Sequence, residues 1–75
     1  MRDYSMVVLG KLCRRARRRR DLTQKQVAGM TGYSVENICG FEHGRTSNAK
    51  LLVWYIVECG LTVNELKEGV INGAD

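Results

Sequence analysis

The chain has no proline, one tryptophan, one phenylalanine and one histidine in 75 residues, and eight acidic side chains against twelve basic ones. Without proline the commonest helix breaker is missing, so helices can run wherever the pattern allows. Apolar runs are short. The longest, from Leu51 to Val57, has seven residues, against the ~18–20 that a membrane span needs. No membrane partner is therefore expected. The N-terminus lacks the apolar stretch and small-residue cleavage site of a secretory signal. Three scattered cysteines, Cys13, Cys39 and Cys59, make a poor disulfide framework and suit a reducing cytoplasm. The single His43 has no nucleophile–acid partner, and no glycine-rich phosphate loop occurs, so no catalytic residue and no enzyme activity are expected.

What the chain does have is a core's worth of apolar residues and a lopsided charge. It is 44% hydrophobic and 27% charged, the balance of a globular domain rather than a disordered one. Its length fits one domain over 1–75. So small a domain buries only about 60% of the surface its unfolded chain exposes, and oligomerisation is a natural supplement. Residues 1–25 carry nine basic and two acidic side chains, residues 26–50 two of each, and residues 51–75 one basic and four acidic. Six of the seven residues from Arg14 to Arg20 are arginine. A basic head of this kind suits a polyanionic partner.

Helical spacing of Leu9, Leu12, Cys13 and Ala16 predicts a first helix over about Val8–Arg20. Thr23 with Gln26 three residues on is a capping box, and it opens a second helix reaching about Met30. Gly32 marks a turn. Ser34 caps a third helix running to about His43, with Ile38 and Phe41 as buried anchors and Gly44 ending it. The run Ala49–Cys59 is apolar enough for a strand but has no partner strand, so it is read as a fourth helix. Thr62 and Glu65 form a second capping box for a fifth. The fold class is all-α, a compact five-helix domain with its core over about 8–69.

Two short helices joined by a tight glycine turn make a helix-turn-helix over 23–43. The stretch LTQKQVAGMTGYSVENICGFEHGRT resembles the Cro and phage-repressor type, the XRE family of lambda-repressor-like DNA-binding domains. Thr23-Gln24, Ala28, Gly32, Ile38, Glu42-His43-Gly44 and Cys59-Gly60-Leu61 stand in the family's order. The resemblance implies that the third helix enters the major groove of double-stranded DNA. It also implies that Arg17 and Glu42 form a structural ion pair. Base reading falls to Ser34, Val35, Glu36, Asn37 and Gly40. Phosphate contacts fall to Gln24 and Lys25, to Arg19 and Arg20 at the end of the first helix, and to Arg45, Asn48 and Lys50 around the following loop. Arg14 and Arg15 are read as a solvated face.

Cys39 and His43 lie four apart on one helical face, but zinc needs four ligands, and Cys13 and Cys59 fit core positions better; no metal and no cofactor are expected. The fourth helix is apolar nearly all round. Leu52, Tyr55, Ile56 and Cys59 suffice for a core face, which leaves Leu51, Val53, Trp54 and Val57 for a homodimer interface centred on Trp54, or else for burial under Val70-Ile71. The function expected is that of a dimeric, sequence-specific transcriptional regulator, a repressor of phage or mobile-element type on an inverted-repeat operator. Antitoxin and restriction-controller roles fit the same residues. The alternative is a helix-turn-helix kept as a scaffold for binding a protein partner.

Overall fold

Short polar caps set where the helices begin. In the computed structural model, which describes residues 2–73, there are five α-helices and, among the described residues, no strand. The ends of the 1–75 span lie outside the described residues. Helix α1 covers Met6–Arg19 and starts two residues before the position the apolar spacing gives, because the Ser5 hydroxyl accepts from the Val8 amide and fixes the first turn there. Helix α2 covers Gln24–Thr31 behind the complete Thr23/Gln26 capping box. Gly32 ends it at φ 81°, a left-handed turn that glycine adopts without strain. Helix α3, Val35–Glu42, is capped by Ser34, whose hydroxyl accepts from the Asn37 amide. Helix α4 is Ala49–Glu58, and α5, Val63–Asn72, follows the Thr62/Glu65 box. No helix of the described residues is long and apolar enough to cross a membrane.

One core joins the elements. Leu12, Cys13 and Ala16 from α1 meet Val27 from α2, Ile38 and Phe41 from α3, Leu51 and Tyr55 from α4, and Cys59 and Leu61 from the turn before α5. Cys13 and Cys59 are core residues, as the spacing implies. Burial pushes the Cys13 thiol up to about 12 and the Cys59 thiol upward too, so both stay protonated and unreactive.

Helix α1 is the axle: α3, α4 and α5 all pack on it, and α2 packs on α3. It meets α3 tightly at Gly10, where an added Cβ would lie 2.3 Å from the Glu42 carbonyl oxygen. Only a hydrogen fits between the two backbones there.

Helix α4 sits rotated from the expected face. The four-spaced row Leu51, Tyr55 and Cys59 turns inward, and Leu51 is only 1% exposed. Leu51 is therefore no part of an intermolecular interface. Ile56, expected inside, lies on the outer side with Val53 and Val57. Trp54 is half-buried and stands edge-on to Tyr55, ring centroids 5.4 Å apart. The C-terminal residues Val70 and Ile71 do not cover this face. Helix α5 lies along α1, and Val70 accepts a hydrogen bond from the Asp3 amide of the N-terminal segment.

Candidate nucleic-acid interface

Helix α3 is held by its inner face and open on its outer one. Ile38 and Phe41 anchor it, while Ser34, Val35, Glu36 and Asn37 are all exposed in its first turn. Ser34 accepts from the Asn37 amide as the cap, which leaves its hydroxyl proton and one lone pair to offer a ligand. Glu36 stands near the positive end of the helix, where a carboxylate is favoured. Gly40 departs from its expected place. It is buried, with the Thr46 side chain 3.6 Å from where its Cβ would be. The loop after α3 covers it, so it is not on the open face and cannot read a base.

The inner end of α3 is fixed by a buried polar network. Arg17 donates from Nε to Glu42 Oε2 at 2.8 Å and from Nη2 to Oε1 at 3.0 Å. It also donates from Nη1 to the Leu22 carbonyl at 2.7 Å, which ties down the turn into α2. Tyr55 donates its hydroxyl proton to Glu42 Oε2, and Gln24 donates from Nε2 to Oε1 at 3.2 Å. Burial alone would raise the Glu42 pKa, but the hydrogen bonds from Arg17, Tyr55 and Gln24 together hold it below its ordinary value. Burial and the Glu42 carboxylate push the Tyr55 hydroxyl strongly upward, so it remains a donor. The pair Arg17–Glu42 is what the family resemblance implies; nothing in the sequence signals that Tyr55 and Gln24 complete it.

Gln24 is thus a structural residue as well as a candidate contact. The capping box uses the amides of Thr23 and Gln26, which leaves those of Gln24 and Lys25 at the open end of α2 without an intrahelical acceptor. Lys25 is exposed beside them. On the other flank, Asn48 caps α4 by accepting from the Leu51 amide, while Arg45 and Lys50 are exposed.

The arginine run divides by face. Arg19 does not reach toward α2 and α3. Its guanidinium grips Glu65 of α5, at 2.9 and 3.1 Å, and the Gly60 carbonyl at 3.3 Å. Arg20 also lies by Gly60, its Nη2 3.4 Å from where a Cβ there would be. The two expected phosphate contacts therefore sit on the α4–α5 side. The helical spacing of 3.6 residues puts Arg19 on the flank of α1 that faces Gly60 and Glu65, and Arg20 follows it as the cap residue beyond the helix. Arg14 and Arg18 occupy the other flank. With Asp21, Gln24, Lys25, Val35 and His43 they line a concave surface between α1 and the α2–α3 pair. Arg14, expected to be solvated, is half-buried there. Its spacing of three from Arg17 is the signal that could have placed it.

His43 lies at the edge of this concavity. Its Nδ1 is 2.8 Å from the Cys39 carbonyl oxygen and 3.5 Å from the Cys39 thiol. Among the described residues, no third side chain able to hold a metal joins the two.

The arrangement presents one exposed helix turn with a carboxylate and an amide, bordered by a basic concavity. Comparison of the chain with protein-family models, with curated proteins and with solved structures finds no match.

Proposed function

We propose that the protein is a sequence-specific DNA-binding transcriptional regulator of the Cro and phage-repressor kind, with α2 and α3 as its helix-turn-helix. The observation that carries this reading is the exposed first turn of α3, Val35-Glu36-Asn37, set against a concavity lined by Arg14, Arg18 and Lys25. Base edges are read by a helix turn of this shape and phosphates by cations beside it. Glu36 and Asn37 supply an acceptor and an amide to the groove, and Val35, 40% exposed, supplies an apolar contact for a thymine methyl group. Lys25, Arg45 and Lys50 supply further charge to the backbone.

The regulator acts as a homodimer on an inverted repeat. Its contact is the outer face of α4, where Val53 and Val57 are 56% and 67% exposed and Ile56 lies beside them. Trp54 borders that face with its exposed half. A cytoplasmic location follows from this role.

Titration of a random 20-base-pair duplex across a salt series tests the reading. A protein that contacts several phosphates loses affinity steeply and linearly on a log–log scale as salt rises. A scaffold that binds only a protein partner shows no such slope.

A further inference from the structure

We propose that Arg14 and Arg18 of α1 form the principal phosphate anchor of this protein, clamping a backbone phosphate between α1 and Lys25. The inference rests on the DNA-binding reading above and assigns its charge to residues on the opposite side of α1 from Arg19 and Arg20. Three observations carry it.

The first is the partition of the run. Arg17 is consumed by Glu42, Arg19 by Glu65, and Arg20 lies by Gly60. Arg14 and Arg18 make no salt bridge among the described residues. The second is shape. Both line a shallow, open hollow, and Val35 from the exposed turn of α3 lines the same hollow. Cations gathered on one open surface raise the local potential and attract an anion. A ligand held there lies beside α3. The third is chemistry. A guanidinium presents a planar fork that matches two oxygens of a phosphate, where an ammonium acts as a point charge. Two such forks one helical turn apart, with the Lys25 ammonium at α2, can bracket one phosphodiester from two sides.

Among the described residues, Asp21 is the one carboxylate lining this hollow. It opposes a bound phosphate, and it gives the test a variant of opposite sign. Asn tolerates the left-handed φ of 56° that Asp21 adopts, so Asp21→Asn removes the charge without changing the turn.

The experiment measures affinity for a random 20-base-pair duplex between 50 and 200 mM salt for the full chain and for Arg14→Ala, Arg18→Ala, Arg19→Ala and Asp21→Asn, with thermal melts of each. The expected result is a slope of log affinity against log salt that is shallower for Arg14→Ala and for Arg18→Ala, each by a part of the ~0.9 that loss of the whole shared phosphate contact would cost. Arg14→Lys and Arg18→Lys restore the slope but not the full affinity, since the charge returns without the fork. Asp21→Asn binds more tightly than the parent. Arg19→Ala leaves the slope unchanged. A parent that binds with a steep slope while Arg14→Ala and Arg18→Ala keep that slope overturns the anchor and leaves DNA binding intact. A parent with no salt-dependent binding overturns both.

Discussion

Arg17 and Glu42 stand 25 residues apart in sequence and meet as a two-bond fork at 2.8 and 3.0 Å, with the arginine 7% and the glutamate 3% exposed. The fork fixes the end of α3 on α1, and with Tyr55 and Gln24 it leaves no buried side-chain polar atom without a partner among the described residues. Removing only the cation strands the carboxylate. Arg17→Met is expected to cost ~3–5 kcal/mol in chemical denaturation. Gln24→Ala, which a purely DNA-contacting residue would tolerate freely, is expected to cost ~1 kcal/mol through its lost bond to Glu42.

The same carboxylate makes stability depend on pH. The Glu42 pKa in the folded protein lies below its ordinary value of 4.5, so its contribution is complete above that value and fades as pH falls toward the folded pKa. Glu65, held low first by its hydrogen bonds to Arg19, acts with the same sign, but its exposure to solvent weakens the effect. Melting temperature is expected to be flat from pH 7 to pH 5 and to drop below pH 4.5. Glu42→Gln is expected to lower the plateau and to reduce the acid-side drop.

Gly10 sets the distance between α1 and α3. A methyl group there would stand 2.3 Å from the Glu42 carbonyl oxygen and 2.8 Å from that of Phe41. Backbone must move, because no flexible side chain end is available to yield. Gly10→Ala is expected to destabilise the domain by ~3 kcal/mol, at the upper end for overpacking and despite the better helix propensity of alanine. Thermal melting followed by circular dichroism checks this.

The outer face of α4 predicts assembly. Val57→Asp places a charge on an exposed apolar strip and is expected to leave the helical spectrum unchanged while producing monomers in sedimentation. Trp54→Ala is a poorer probe, since the indole packs on Tyr55 and its loss affects the fold itself. A parent that sediments as a monomer at high micromolar concentration contradicts the dimer.

Glu36 predicts specificity. In the major groove a carboxylate finds a donor in the cytosine amino group, and it repels phosphates everywhere else. Glu36→Gln is expected to change discrimination at one base pair per half-site by ~1–3 kcal/mol. It is also expected to raise affinity for unrelated DNA. A variant that loses slight stability and selects the same sequence would assign Glu36 to the helix dipole alone.

The helices were legible because their caps are local. Thr23 and Gln26, Ser34, and Thr62 and Glu65 specify their starts within four residues, and Gly32 and Gly44 fix the ends. Directions around a helix were less so. Leu51 and Ile56 exchanged places because α4 is apolar on nearly every side, and such a sequence does not say which stripe the rest of the chain will cover. Arg19, Arg20, Arg14 and Arg18 follow the same logic on a helix that is cationic on nearly every outer position. Gly40 reads as open because nothing near it in sequence says that Thr46 folds back over it. Tyr55 reads as core filler because its hydroxyl partner lies 13 residues away.

Selection of bound duplexes from a random oligonucleotide pool asks whether α3 reads the major groove. The expected outcome is enrichment of an approximate inverted repeat whose half-sites lie ~34 Å apart, one helical turn of DNA between two copies of α3. Recovery of the pool without any enriched sequence would contradict it.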